Sequence, residues 1–201
     1  MKEFNKDRPV YIVGGGPSLK GFDWDLLKGE QVIAINRAHE FIPFADILYW
    51  SDTCYYMDNI ESIRKFKGLK YTVCRLDGRL KDIIKLDRAT KWGCNGVNEA
   101  ISFGNNSGYA AINLASILGA REVILLGYDM MNRAFDTHFH SGYSKLPIKD
   151  IKYVQDWVPR FEQLYRGFTE LGVTILNGSN KSRLDFIPYI DPMTRLNKVK
   201  L

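Results

Sequence analysis

Three consecutive glycines follow the apolar run VYIV at residues 10–13. The stretch after this run consists of Gly14, Gly15, Gly16, Pro17 and Ser18. Bare backbone lets N–H groups approach an anion closely, and a serine hydroxyl can add a hydrogen bond, so the chemistry these residues offer is phosphate binding. The stretch lacks the Walker lysine pattern and the GxGxxG spacing. A tight strand-to-helix turn that requires positive φ is therefore the alternative.

Four further residues stand where predicted strands end. Asn36 follows VIAI directly, and Asp52 and Asp129 close two other apolar runs, the second of them just after Gly127. An amide at such a position either caps the next turn or hydrogen-bonds the base or sugar edge of a nucleotide. A carboxylate there binds ribose hydroxyls, holds a metal through water, or caps a helix. The residues alone leave these alternatives open.

A polar stretch opens the clearest predicted helix and is a second candidate anion site. It comprises Asn105, Asn106, Ser107 and Gly108. The N-terminus of a helix offers unpaired N–H groups and a favourable dipole to a phosphate. An N-cap accounts for one polar residue, and a run of four exceeds that need. The alternatives are a capped helix alone and a capped helix that also contacts an anion.

Two of the three histidines lie close together in the stretch DTHFHSGYS, at His138 and His140, whereas His39 stands apart. Two close histidines can bind a metal, but no third ligand stands at a recognised spacing. A general acid or base is the second functional interpretation. The alternative to both functional interpretations is a solvated loop.

Strands and helices alternate around these residues. Strands are predicted at 10–13, 31–36, 45–52, 70–76, 121–129 and 173–177. Helices are predicted at 23–29, 58–68, 106–120 and 150–172, the last interrupted near Pro159, and residues 77–98 are left unassigned. The alternation predicts an α/β fold: a single Rossmann-like domain with a mostly parallel twisted sheet and helices on both faces. We place this domain over residues 1–201, with its core at about 9–180 and an irregular C-terminal tail.

The composition of the chain limits its size class, the charge of its partners and its compartment. A chain of 201 residues that is 45% hydrophobic fits one domain with one ordinary core. A formal net charge of +5 favours anionic partners such as phosphates, and no motif supports nucleic acid. Three cysteines without CxxC spacing, and an N-terminus without an apolar signal region, predict a cytoplasmic protein with reduced, mostly buried thiols. The apolar runs are too short to span a bilayer.

Taken in order, these motifs resemble a known superfamily. The order is GGGPSL, a strand ending in asparagine, NNSGYAAINLASILGAREVILLGYDM, and a histidine loop. It resembles the bacterial sialyltransferases of glycosyltransferase family 42. It also resembles the wider DUF115 family, which includes flagellin glycosylation proteins, phage-encoded relatives and archaeal hydroxymethylpterin pyrophosphokinases. The similarity spans about residues 9–180 and is most specific in the glycine turn and in the block from the SG helix to GxD.

The resemblance implies a transferase with a nucleotide-sugar donor, CMP-linked, and a hydroxyl acceptor on a glycan or other small molecule. The glycine turn, Asn36 and the helix start at residues 106–108 would contact the nucleotide. His138 would be the general base, with His140 close behind it. Tyr128 and Tyr143 would stand for the tyrosines that help the phosphate leave. A homo-oligomer is compatible with this interpretation.

Two alternatives remain open at the level of sequence. In the pterin kinases an acidic TDLDG-like motif stands where this chain has YWSDTCYY, whose one aspartate is Asp52. The first alternative is therefore a pyrophosphokinase that uses ATP and Mg²⁺. The second is a non-catalytic, nucleotide-binding phage accessory protein that has kept the fold. The chain is shorter than the sialyltransferases, and most of their acceptor lid is missing from it.

Overall fold

A seven-stranded sheet forms the centre of the protein in the computed structural model, which describes residues 3–89, 93–94, 100–131, 138–140 and 152–197. The strands, in chain order, are β1 (Val10–Val13), β2 (Gln31–Ile35), β3 (Ile47–Trp50), β4 (Leu69–Thr72), β5 (Ile83–Lys85), β6 (Asp87–Arg88), β7 (Ala100–Ile101), β8 (Glu122–Leu126) and β9 (Thr174–Asn177). The sheet order is β5-β4-β3-β2-β1-β8-β9. Every described pair in it is parallel, while β6 and β7 form a separate small parallel pair.

The central strands are apolar on both faces because both faces are covered. Val10 and Ile12 point into one core and Tyr11 and Val13 into the other, and all four are fully buried. This is the expected pattern of a parallel strand between two layers of helices. Such strands appear in the sequence as continuous apolar runs, so VYIV shows no alternation of polar and apolar residues.

Helices cover each face of the sheet. They are α1 (Thr53–Asp58), α2 (Ile60–Lys65), α3 (Ser107–Ile117), α4 (Val158–Glu170) and α5 (Pro192–Asn197). The core that contains Ile12 is closed by α3 and α4, and the core that contains Tyr11 by α1, α2, α5 and three 3₁₀ segments, Pro17–Leu19, Trp24–Leu27 and Asn36–Glu40. The α/β class with helices on both faces is thus confirmed. No helix of the described residues is long and apolar enough to cross a membrane.

Several local features were not predicted. The stretch 77–98 contributes β5 and β6, and a short helix, α1, follows β3. Pro159 lies in the first turn of α4, where its missing N–H costs nothing, and a turn of π-helix, Tyr153–Trp157, precedes it. The tail expected to be irregular contains α5, whose Arg195 donates to the Glu122 carboxylate at 3.0 Å. Cys54 is exposed, against the expectation of mostly buried thiols.

The strand order places a crevice beside β1. The chain runs from β1 outward to β5 and later returns to add β8 and β9 on the other side of β1. The connections therefore reverse direction between β1 and β8. In open parallel sheets, ligands bind outside the carboxyl ends of the strands at such a switch point.

Candidate functional site

The glycine turn at residues 14–18 folds onto the backbone that follows β8. Gly14 donates its amide to the Leu126 carbonyl at 2.8 Å, and Gly16 donates to the Gly127 carbonyl at 2.9 Å. A Cβ atom on Gly16 would lie 2.5 Å from the Gly127 oxygen, and one on Gly14 would lie 2.9 Å from it. Glycines are required here because two backbone segments meet directly.

A buried carboxylate fixes the end of the same turn. Asp129 is 1% exposed, and its side chain accepts hydrogen bonds from the Ser18 amide at 3.1 Å and from the Ser18 hydroxyl at 2.6 Å. The hydroxyl of Ser179 lies 3.1 Å from that of Ser18 and accepts the Tyr128 amide at 3.0 Å. Asp129 therefore ties the end of β8 to the turn after β1, with Ser179 after β9 bonded to the same group. Its predicted contact with the donor stays a prediction.

These bonds limit which amides of the turn could contact a phosphate, and the predicted phosphate site stays a prediction. The amides of Gly14, Gly16 and Ser18 are consumed internally, and Pro17 has none. The amide of Gly15 is the member of the turn for which the described residues supply no acceptor. The Gly15 amide is therefore the backbone group on which the predicted phosphate contact of this turn depends.

Asn36 is the residue whose geometry most clearly calls for a ligand. Its backbone is left-handed, with φ of 50°, and its carbonyl accepts the Nδ1–H of His39 at 2.7 Å. Its side-chain Oδ1 atom is buried with no hydrogen-bond partner among the described residues. Unpaired buried acceptors and strained backbone cluster at functional sites. The geometry favours the ligand interpretation of Asn36 over the cap.

The start of α3 is capped from within. The Asn106 side chain accepts the amides of Gly108 at 2.8 Å and Tyr109 at 3.1 Å. The Ser107 hydroxyl accepts a hydrogen bond from the Ser51 amide at 3.2 Å. This bond joins the start of α3 to the end of β3. An anion at this end would therefore meet the amide of Ser107, because the next two are occupied.

The backbone before α3 is also unusual. Asn105 has φ of 47°, and Met130, just after the end of β8, has φ of 52°. Together with Asn36, these are the non-glycine residues with positive φ in the described chain. Left-handed backbone is uncommon for such residues and persists where surrounding contacts enforce it. All three lie beyond the strand ends or at the start of α3.

Tyr128 and Gly127 hold the site together. The Tyr128 hydroxyl donates to the Gly108 carbonyl at 3.1 Å, the residue is 2% exposed, and burial raises its pKa well above the usual value. This hydrogen bond links the segment after β8 to α3, and the predicted assistance to a leaving phosphate stays a prediction. Gly127 has φ of 70°, and a Cβ on it would lie 2.6 Å from Leu19. The other predicted tyrosine, Tyr143, lies outside the described residues.

Asp52 is exposed at the end of β3. Its carbonyl accepts the Tyr56 amide of α1 at 3.2 Å, and its side chain makes no capping bond. The predicted nucleotide contact of Asp52 stays a prediction. Within the described residues no group of three or more histidine, cysteine or acidic side chains lies close enough to hold a metal ion.

The histidine loop, residues 138–140, lies directly on the glycine turn. Phe139 donates its amide to the Gly15 carbonyl at 3.0 Å. A Cβ on Gly15 would lie 2.7 Å from Cδ2 of His138, so the imidazole packs against bare backbone. The His138 and His140 rings are 5.6 Å apart between centroids. The loop thus places a candidate base beside Gly15, the residue of the turn whose amide has no acceptor among the described residues.

Both loop histidines have lowered pKa values. Burial lowers the pKa of His138 below its ordinary value. Burial, reinforced by the positive charges of His138 and Arg37, lowers the pKa of His140 to about 4. Both imidazoles are therefore neutral at pH 7, the state in which a histidine can accept a proton.

The lowered pKa of His140 predicts a pH-dependent stability. The unfolded chain takes up the proton near the ordinary value of 6.5, and the folded chain takes it up only near about 4. Protonation therefore favours unfolding between these values, and stability is lost as the pH falls from 6.5 toward 4. We expect His140→Gln to reduce the fall in Tm over this range, measured against the wild type.

His39, whose pKa burial also lowers, is present in both proteins, so the comparison isolates His140. An identical pH dependence of Tm in the variant would contradict the assignment.

Sequence analysis missed one residue of this assembly, Ser179, which follows β9 and whose hydroxyl lies 3.1 Å from that of Ser18. The Ser179 amide donates to the Asn177 side chain at 3.0 Å, so the end of β9 positions it. The rule that residues after parallel strands face the crevice would have found it, as it pointed to Ser51 after β3.

Comparison with known proteins reveals related folds. No family model matches the chain, so membership of DUF115 stays a prediction, and no curated protein matches it. The sialyltransferase CstII from Campylobacter jejuni, solved with the substrate analogue cytidine-5'-monophosphate, is 14% identical with a TM-score of 0.55. That match covers 94% of this chain and 87% of the other. The monofunctional alpha-2,3-sialyltransferase Cst-I from the same organism is 15% identical over 94% of this chain and 82% of its own, with a TM-score of 0.52. At these identities the likeness shows the fold.

Proposed function

We propose that this protein is a glycosyltransferase that uses a nucleotide-activated sugar, with a CMP-linked donor, and transfers it to a hydroxyl acceptor. The fold that it shares with sialyltransferases, one of them solved with cytidine-5'-monophosphate, supports the proposal. So does the resemblance of its motifs, which points to the same nucleotide.

One observation carries the proposal: the His138 ring packs against Gly15, beside the open amide of the turn. A transferase of this kind must bring a base for the acceptor hydroxyl close to the phosphate that leaves. Here the candidate base and the candidate phosphate contact are neighbours. Asn36, whose buried side-chain oxygen has no partner in the part of the chain that the structure describes, would accept a hydrogen bond from the nucleotide.

The proposed reaction is a displacement at the anomeric carbon. The acceptor oxygen forms a bond to that carbon while the bond from the carbon to the phosphate oxygen breaks. The neutral imidazole of His138 takes the hydroxyl proton, and the nucleotide leaves with its phosphate. Such a base typically contributes about 10² to 10⁴-fold in rate. The rest of the site holds the donor in position, which is a second source of rate.

A thermal-shift panel tests the proposal with CMP, UDP, GDP, ATP and their sugar conjugates, each with and without Mg²⁺. A ligand at 100 times its Kd stabilises the folded state by about 2.7 kcal/mol. We expect CMP to raise Tm without metal and a CMP-sugar to be consumed when acceptors are supplied. Stabilisation by ATP only with Mg²⁺ would support a pyrophosphokinase instead. Binding of CMP without any turnover would indicate an accessory protein that has kept the fold.

Asn36→Gly gives a sharper test of the nucleotide contact. Glycine adopts the left-handed backbone of Asn36 without strain and lacks the side-chain amide. The comparison of variant and wild type therefore reports on the side chain. We expect the affinity for CMP, measured by calorimetry, to weaken by about 1 to 3 kcal/mol. The stability of the free protein should not fall, because the Oδ1 atom has no partner to lose.

Asn59→Ala is the matched control. The side-chain amide of Asn59 donates to the Tyr55 carbonyl at 2.9 Å. Loss of this bond should lower the stability of the protein and leave CMP affinity unchanged. If Asn36→Gly behaved like this control, Asn36 would be a structural residue only.

A further inference from the structure

His39 is a buried histidine that the proposed reaction does not use. It lies in the 3₁₀ segment Asn36–Glu40, directly after β2, and is 3% exposed. Its Nδ1 atom lies 2.7 Å from the carbonyl oxygen of Asn36. Because a carbonyl oxygen only accepts hydrogen bonds, Nδ1 must carry the proton and donate it. His39 thus binds the backbone of the residue whose side chain is the proposed contact to the nucleotide.

The His39 ring is fixed in place by its neighbours. Phe66 packs on it edge to face, with ring centroids 5.8 Å apart and planes inclined by 84°. The Tyr55 hydroxyl lies 3.3 Å from Nδ1, and both Tyr55 and Phe66 are buried in the core that contains Tyr11. A side chain whose rotamer is locked by packing can hold the group that it contacts in one geometry.

The bond from His39 acts on a backbone conformation that asparagine seldom adopts. Asn36 has φ of 50°, in the left-handed region that is uncommon for residues with a side chain. Such a conformation persists where the surrounding contacts enforce it. The bond from Nδ1 is a contact of this kind, because it restrains the peptide group that follows Asn36.

Filling the core does not by itself explain a histidine at position 39. Its second ring nitrogen, Nε2, is buried with no hydrogen-bond partner among the described residues. An unpaired buried polar atom costs stability, and an apolar side chain of similar size would avoid that cost. The Oδ1 atom of Asn36, three residues earlier, is in the same condition. Two unpaired atoms so close together indicate that this segment is shaped for a purpose other than stability.

We propose that His39 is a positioning residue, which holds Asn36 in the left-handed conformation that directs its side-chain oxygen to the nucleotide. His39 itself would not touch the ligand. This inference rests on the proposed function and deepens it, because it identifies the residue that prepares Asn36 for the donor before the donor binds.

Two substitutions of His39 separate positioning from packing. In His39→Asn, the side-chain amide can place an N–H at the position of Nδ1, although the side chain is smaller than imidazole. In His39→Leu, the apolar volume is kept and the donor is lost. Calorimetry with CMP should show wild-type affinity within about twofold for His39→Asn and a loss of about threefold to tenfold for His39→Leu, the bias that one hydrogen bond gives to a conformational equilibrium. A packing role predicts the reverse order.

A double substitution tests whether the effect passes through Asn36. Asn36→Gly removes the side-chain oxygen, and glycine adopts positive φ without support. In that background, His39→Leu should cause no further loss of CMP affinity, whereas independent effects would add. Additive losses would overturn the inference. Equal CMP affinities of His39→Asn and His39→Leu would overturn it as well.

Thr72→Val is the matched control for the loss of a buried bond from a side chain to the backbone. The Thr72 hydroxyl donates to the Trp50 carbonyl at 2.7 Å, and the residue is fully buried. Valine keeps the shape and removes this bond, so the variant should have a lower Tm and unchanged CMP affinity. A loss of affinity here as large as in His39→Leu would show that destabilisation alone weakens binding, and would overturn the inference.

NMR of the full chain without nucleotide separates this inference from the proposed function. The carbon chemical shifts and the HN–Hα coupling of residue 36 report its φ. They should indicate a left-handed residue in the wild type and in His39→Asn, and should change in His39→Leu. Unchanged values in His39→Leu would refute the positioning and leave the proposed function standing. The expected change, together with a wild type that CMP does not stabilise, would refute the donor and keep the effect of His39 on Asn36.

Discussion

Replacing His138 with alanine is expected to lower kcat by at least about 10²-fold, the smaller contribution of a positioned general base. Donor affinity should change little, because Gly15 and Asn36 are the proposed contacts to the nucleotide. Burial lowers the pKa of His138, so the wild-type kcat should fall only below about pH 6.5, as the imidazole takes up a proton. The residual activity of the variant should lose this acid limb. Steady-state kinetics across pH and calorimetry with CMP measure both parts.

The neighbouring histidine supplies the comparison for this variant. His140→Ala should reduce kcat less, because its ring is stacked on Phe41, whereas His138 packs against Gly15. A pyrophosphokinase would behave differently, since His138→Ala would then also weaken Mg·ATP binding. A fully active His138→Ala enzyme would remove the assignment of the base and leave the loop a structural connection.

Replacing Gly15 with valine is expected to abolish nucleotide binding in a protein that stays folded. Gly15 does not have positive φ, so a branched residue fits its backbone. The added side chain would occupy the space beside the open amide, with its Cβ 2.7 Å from the present position of His138. The stabilisation of about 2.7 kcal/mol by saturating CMP should therefore disappear. Thermal shift and circular dichroism measure binding and folding separately.

Two companion variants make this result interpretable. In Gly15→Val combined with His138→Ala, the displaced ring is absent, so persistent loss of binding would assign the effect to the phosphate position. Gly16→Ala should instead destabilise the free protein, because its Cβ would collide with the Asp129 carboxylate and the Gly127 carbonyl. Normal CMP affinity in a folded Gly15→Val protein would refute the anion site.

The strong local signals of the sequence were sufficient to predict the frame of the site. The apolar run at 10–13 corresponds to β1, and the helix predicted at 106–120 is α3, capped by Asn106 as expected. Continuous apolar runs between polar turns, and a capped stretch with apolar residues at helical spacing, depend on neighbouring residues alone. Because parallel strands end at one edge, Asn36 and the glycine turn could also be assigned to one side of the sheet.

The sequence could not show which of these groups are already satisfied by one another. The hydrogen bond from Ser18 to Asp129 joins residues 111 positions apart, and no local pattern specifies it. The same holds for Phe139, whose contact with Trp24 depends on how the histidine loop returns to the sheet. The sequence therefore pointed to the turn as a whole and could not single out Gly15, whose amide has no acceptor among the described residues.

The link between Ser18 and Asp129 also determines when the site can form during synthesis. At about 5 to 20 residues per second, a ribosome needs roughly 6 to 22 s to add the 111 residues that separate them. Throughout that interval β1 can pair with β2 and has no partner on its other edge. An open, apolar strand edge of this kind invites association between nascent chains. Because the turn is completed only when β8 joins the sheet, binding of a nucleotide would select chains in which that slow, long-range pairing has succeeded.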